Sequence, residues 1–307
     1  MGSGEKKKPT RTTRRHRELR LKIYAMLTVC VLGAALYVGT RQKTQETSAQ
    51  AEKDADDENV ASADEKDKKD MDVTPSPTAE KEDKPKEVFG PPTKEQMILA
   101  NADQYPEVLI KDLERNPEIL DFVEGYLTAK PEVSGGITEA EAPTPVPLFL
   151  QWDARWGYVP YGQHNIGISG CGPTCLSMVL YSLTGDKSLT PDFLAQRAMN
   201  EGYYVEGVGT SWTFLTNVCK DYEVKATLTE IITPEKIAEY TSAGGLIICS
   251  MGPGDFTDTG HFIVIRGISD AGKILINDPF SKANTEKEWE YETVAAQMKQ
   301  SWAYTKS

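Results

Sequence analysis

The sequence predicts an α+β domain at the C-terminal end of a chain whose first half serves other purposes. Three observations predict it. Helix starts cluster early in the last 160 residues, at Gly-Cys-Gly-Pro and at two Thr-Pro pairs. Strand-like segments then follow as an antiparallel run, either alternating or apolar throughout. Upstream, the composition is too charged, or the apolar stretches too short, to extend that core.

The chain opens with a basic arm, residues 1–22, in which nine Lys and Arg face only Glu5 and Glu18. An apolar run from Ile23 to Gly39 follows, with no charge before Arg41. At about 1.5 Å per residue this run falls slightly short of a ~30 Å hydrocarbon core, and snorkelling by Lys22 and Arg41 closes the gap. Residues 23–40 are therefore expected to form a transmembrane anchor. The basic excess precedes the run, so the N-terminus is expected in the cytoplasm and the C-terminal bulk outside. A cleaved signal peptide would have a shorter apolar run and a small-x-small site, poorly formed here. A lipoprotein site at Leu27-Thr28-Val29-Cys30 is spoiled by bulky Val29 and by the apolar run beyond Cys30. An uncleaved single span is the expectation, with Cys30 carrying no chemistry.

Residues 41–92 are rich in Lys, Glu, Asp, Ala, Thr and Pro. Such a stretch buries too little surface to offset its ordering entropy and is expected to be a disordered acidic stalk. Residues 93–130 differ. Tyr105-Pro106 and Asn116-Pro117 place proline at helix starts, and Leu109, Ile110 and Leu113 mark one apolar face. Ile119, Leu120, Phe122, Val123, Tyr126 and Leu127 mark another. Helices this short are expected to dock on the main domain, as a structural clamp or, with less support, an inhibitory segment. A linker, 131–146, leads to the main domain at 147–307.

In that domain Thr174–Thr184 is apolar nearly all round and reads as a buried central helix ending at Gly185. Thr190-Pro191 opens a second helix, and Gly209-Thr210-Ser211 is expected to cap a third containing Trp212 and Phe214. "YEVKATL" alternates as a strand, Thr233-Pro234 opens another helix, and "GLIICSM" reads as a buried strand. "HFIVIRGI" and "KILIND" then surround a short turn.

The net charge of −12 understates the acidity outside, because the basic arm lies on the other side of the membrane. Nucleic-acid binding by the main domain is excluded on that ground, and the arm is expected to touch anionic lipid. No metal or other cofactor is expected. Only three histidines occur, His16 lies in the arm, and the spacings Cys171–Cys175 and Cys219–Cys249 match no usual zinc pattern.

A thiol nucleophile fits better. Cys171 stands at a helix N-terminus, where unpaired N–H groups and the macrodipole favour negative charge. Gly170 and Gly172 are read as leaving room for a substrate backbone. Cys175 lies one turn inside an apolar helix and reads as packing, as do Cys219 and Cys249. A nucleophile needs a base, and the base an orienting partner. A turn at Asp270-Ala271, or the wider Ser269–Gly272, pairs Ile263 with Asp278 and makes His261 the diagonal same-face neighbour of Asp278. A three-residue turn would shift the register by one and spoil this.

Together, "QWDARWGYVPYG", "GISGCGPTCLSMVL" and "GHFIVIRGI…INDPF" resemble the papain-like cysteine peptidases related to bacteriocin-leader (double-glycine) peptidases, in their stand-alone branch. The resemblance covers 147–307. It implies a papain-like fold, with Cys171 as nucleophile, His261 as general base and acid, and Asp278 as orienting group. It also implies an upstream glutamine at the oxyanion, here Gln151 with the Cys171 N–H. Gln163, nearer in sequence, is the rival. Trp152, Asp153, Arg155 and Trp156 are expected to pack or pair near the entrance, and Trp212 to line the cleft or fill the core. No G-x-x-x-x-G-K-[ST] motif occurs, so export-coupled leader processing is not expected. The resulting expectation is a membrane-anchored extracytoplasmic cysteine peptidase acting on a peptide or protein at a bacterial surface. The alternatives are a cell-wall peptide amidase and a silent binding module of the same fold.

Overall fold

Segments whose apolar residues recur on one side form the elements, and a computed structural model describes residues 91–307 apart from Ile231. The expected arm, anchor and stalk up to residue 90 lie outside the described residues. Among those described, no helix is long and apolar enough to cross a membrane.

Three short helices come first: α1 (Lys94–Leu99), α2 (Glu107–Arg115) and α3 (Leu120–Gly125). Thr93 and Gln96 form a capping box on α1. The short strands β1 (Pro160–Tyr161) and β2 (His164–Asn165) form a hairpin leading into α4 (Ile166–Ser169). The central helix α5 (Cys171–Thr184) and then α6 (Pro191–Asn200) follow. A second hairpin of β3 (Tyr204–Val205) and β4 (Gly209–Thr210) precedes α7 (Phe214–Asn217). The remaining elements are β5 (Val224–Thr229), α8 (Pro234–Ser242), β6 (Leu246–Met251), β7 (His261–Ile268), β8 (Ile274–Asn277), α9 (Lys282–Glu286), α10 (Tyr291–Gln297) and β9 (Met298–Lys306). The architecture is α+β, as the sequence predicts.

Strands β5 to β9 form one antiparallel sheet in the order β5-β9-β6-β7-β8. Helices cover both faces. Ile248, Phe262, Val264, Trp302 and Tyr304 pack with α5 residues such as Leu176 and Val179, while Ile247, Cys249, Ile263, Ile265 and Ala303 pack with Ile237, Trp289 and Val294. This explains why all six residues of β6 are buried and why its sequence is an unbroken apolar run.

Several expectations need correction. Gly209 and Thr210 form β4 rather than a helix cap, and the third helix starts only at Phe214, which leaves Trp212 in the preceding turn. The C-terminal strand β9, not anticipated from the sequence, sits between β5 and β6. Its MKQSWAYTK sequence mixes charge with aromatics because residues 301–304 are buried in mid-strand while Lys299 and Lys306, near its ends, are exposed. The β7–β8 turn has three residues: Ser269 N donates to Lys273 O at 2.8 Å, and Gly272 N donates to Ser269 O at 2.9 Å. Gly272 takes φ +77°, which this turn type needs. The feared register loss does not follow. A bulge between Ile265 and Gly267 adds one residue to β7, so Val264 again faces Asn277 and Ile265 faces Ile276.

The segment 93–125 docks through its own small core. Ile98, Leu109, Leu113, Ile119, Phe122 and Val123 are buried together, with Trp152, Tyr158, Ile168 and Phe280 packed against them. Phe122 stacks on Tyr158 at 4.6 Å and lies where a side chain at Gly167 would be. Residues 131–146 are irregular but tied down: Arg155 bonds both carboxylate oxygens of Glu141 at 2.7 Å, and Tyr181 donates to Ala142 O at 3.3 Å.

Candidate active site

Two elements meet at one end of the sheet. α5 begins at Cys171, and Cys175 Sγ donates to Phe262 O at 3.2 Å, which fixes the first turn of α5 against the start of β7. The first residue of β7 is His261, and Asp278 directly follows β8. His261 alternates to the opposite face from Phe262, and from the strand's first position it lines the same cleft as Cys171.

The restored register brings His261 Nε2 to 2.7 Å from Asp278 Oδ1. Asp278 is fully buried and both of its carboxylate oxygens accept hydrogen bonds. Oδ1 also accepts from Phe280 N at 2.8 Å, and Oδ2 accepts from Asn284 Nδ2 at 2.8 Å. Burial by itself disfavours the imidazolium. The Asp278 charge and hydrogen bond outweigh it, with a smaller contribution from the neighbouring Cys171, so the His261 pKa is raised. With Nε2 committed to Asp278, Nδ1 is the nitrogen left for the thiol.

The four described cysteines separate by position. Cys171 is half-buried at the cleft, whereas Cys175, Cys219 and Cys249 are buried. Burial pushes the Cys175 and Cys249 thiols well up, and Cys219 up to about 12, so these three are packing groups.

Gln151 lines the cleft beside Cys171 and His261. Its backbone N–H donates to Pro279 O at 2.8 Å, and its Nε2 donates to Gly167 O at 2.9 Å. Its Oε1 is buried with no hydrogen-bond partner among the described residues. Gln163 is elsewhere, on the exposed β1–β2 turn with Nε2 bonded to Glu206 at 2.6 Å. Trp212 is 46% exposed and lines the opposite side of Cys171 with Val208 and Thr210, edge-on to Trp302. Trp152 Nε1 donates to Phe280 O at 2.7 Å, and Arg155 pairs with Asp153. Trp156 is instead fully buried in the main core.

Gly170 and Gly172 do not line the cleft, contrary to the access reading; both are buried. A Cβ on Gly170 would lie 2.5 Å from Ile166 O, and one on Gly172 would lie 2.7 Å from Thr210 Oγ1. Internal packing, of α5 on α4 and on β4, demands these glycines. Asn284 escaped the sequence reading because its contact with Asp278 depends on how α9 folds back. Among the described residues, no group of three or more His, Cys, Asp and Glu gathers as a metal-ligand set.

The arrangement, a thiol at a helix mouth beside a carboxylate-paired imidazole, suits acyl transfer. Comparison with curated proteins finds no match. Among solved structures, the peptidase domain of Streptococcus ComA, a bi-functional ABC transporter involved in a quorum-sensing pathway, is 14% identical with a TM-score of 0.37. That comparison covers 48% of this chain and 97% of the other. A Bacillus anthracis protein described as a C39-like peptidase is 17% identical with a TM-score of 0.35, covering 57% of this chain and 99% of the other. The sequence profile of the Peptidase C39-like family matches residues 144–307, a stretch that holds Cys171, His261, Asp278 and Gln151. The chain belongs to the Peptidase C39-like family.

Proposed function

We propose that this protein is a cysteine peptidase that hydrolyses peptide bonds through Cys171, His261 and Asp278, held outside the cell by an anchor at 23–40. The observation that carries the reading is the buried 2.7 Å contact between His261 Nε2 and Asp278 Oδ1, with Cys171 beside the same imidazole. A raised His261 pKa keeps the ring protonated beside the thiolate, the resting state an acyl-transfer thiol needs. The Cys171 thiolate attacks the scissile carbonyl carbon, and the charge that develops on oxygen is met by the Cys171 backbone N–H. His261 gives its proton to the leaving amine as the C–N bond breaks. It then takes a proton from the water that attacks the thioester, releasing the acid and regenerating the thiolate. Gln151 is the second oxyanion donor, favoured over Gln163 because it lines the cleft. Its amide must turn one N–H from Gly167 towards the substrate.

Substrate is a peptide or protein; no cofactor is assigned a role. The location outside the membrane rests on the charge asymmetry around 23–40, and protease accessibility of the domain on intact cells tests it. A peptide-library digest comparing the full-length chain with Cys171→Ala tests the activity. Cleavage by the former alone supports the peptidase; no difference across a broad library favours a silent binder.

A further inference from the structure

The family profile begins at residue 144, yet one wall of the cleft precedes it. Helix α2 contributes Val108, Lys111, Asp112 and Arg115 to the cleft that holds Cys171 and His261. Docking of the 93–125 segment thus builds part of the candidate site rather than merely clamping the domain.

The charges on this wall are paired, with one exception. Lys111 Nζ bonds Glu107 at 2.5 Å, and Arg115 pairs with Asp258 at 2.8 Å while also donating to the carbonyls of Gly254 and Asp255. The Asp112 carboxylate is half-buried in the cleft and has no hydrogen bond or ion pair among the described residues. Around it Val108, Ile168, Phe256 and Phe280 supply apolar surface. A carboxylate with no direct partner beside this apolar surface fits a long cationic side chain, whose methylenes lie on that surface while its charge meets the acid.

We propose that Asp112 is a specificity-determining residue that selects substrate peptides bearing lysine or arginine near the scissile bond. The substrate class rests on the peptidase reading above, but the subsite stands on its own geometry. Burial, with the like charge of Asp258 and against the attraction of His261 and Arg115, raises the Asp112 pKa to about 6, so the acid is ionised and selective above that pH and loses its preference below it.

The test uses the full-length chain and N-acetylated peptides, so that a free α-amine cannot supply the cation. The peptides are identical except for lysine, arginine or norleucine at each position flanking the cleaved bond. Binding is measured at pH 7.5 on Cys171→Ala, with and without Asp112→Asn or Asp112→Glu, and kcat/KM on the same substitutions with Cys171 intact. At one position the lysine peptide is expected to bind about tenfold tighter than norleucine. That ratio collapses to within about twofold in Asp112→Asn and is retained in Asp112→Glu. No cationic preference at any position, or a preference that survives Asp112→Asn, overturns the proposal. An Asp112-dependent binding preference without any cleavage supports the subsite and removes the peptidase reading instead.

Discussion

A carboxyl group that is half-buried and unpaired works against the fold whenever it is ionised, which makes Asp112 measurable without any substrate. Burial moves its pKa from the ordinary 3.8 to about 6, against the opposing pull of His261 and Arg115 and with the support of Asp258. Lys111 shares the wall but is engaged by Glu107. Such a group binds its proton about 3 kcal/mol more tightly in the folded chain than in the unfolded one, and residual solvent contact trims the net effect to about 1–2 kcal/mol. The folded pKa is the higher one, so the proton's stabilisation is fully present below pH 3.8 and lost as pH rises through about 6. Asp112→Asn is neutral at every pH and keeps the side-chain volume. It is therefore expected to match the wild type near pH 4 and to exceed it above pH 7, by about 2–8 °C in Tm for a domain of this size. Thermal unfolding of both proteins at the two pH values reads this directly. Equal stability at pH 7.5, or a difference that persists undiminished in acid, would refute the claim that burial outweighs the attraction of His261 and Arg115 for ionised Asp112. Stability given up at a cleft wall in this way is the usual signature of a residue kept for binding.

Three further predictions concern the site and its supports. Asp278→Asn removes the charge that raises His261 and leaves burial to lower the imidazole pKa. The alkaline limb of the kcat/KM profile is expected to move to lower pH and the maximum to fall about 10²–10⁴-fold. Gly172→Ala is expected to cost about 1–3 kcal/mol in urea unfolding through its clash with Thr210, and Thr210→Ala restores part of it. Gly170→Ala meets the Ile166 carbonyl instead, so no side-chain truncation is expected to rescue it. Phe122→Ala removes the ring stacked on Tyr158, at a cost of about 3–5 kcal/mol. Limited proteolysis is then expected to cut within 93–130 before touching 147–307; uniform digestion of both parts would count against independent docking.

Local chemistry made most of the elements legible. Thr190 and Thr233 before proline announced α6 and α8, and both side chains cap as expected. The apolar circumference of α5 announced a helix buried among the sheet's side chains. Strand periodicity placed His261 and Asp278 on matching faces. It could not show that the turn has three residues and that a bulge at Arg266 undoes the shift, because two compensating one-residue changes leave no trace in alternation. β9 was hidden for a related reason: a central strand is recognised by its two neighbours, and those lie far away in sequence.

By itself, the sequence determined which thiol stands at a helix mouth and which are core, and which histidine and aspartate share a hairpin. These depend on neighbours within a few residues, where capping, periodicity and turn chemistry act. Only the tertiary structure decided that Gln151 rather than Gln163 borders Cys171, and that Gly170 and Gly172 serve packing. It alone set Asp112 in the cleft, 59 residues before Cys171. Such proximity is created by the docking of α2 through Leu109 and Leu113, and burial of an apolar face specifies that two surfaces meet without specifying which polar groups are carried along.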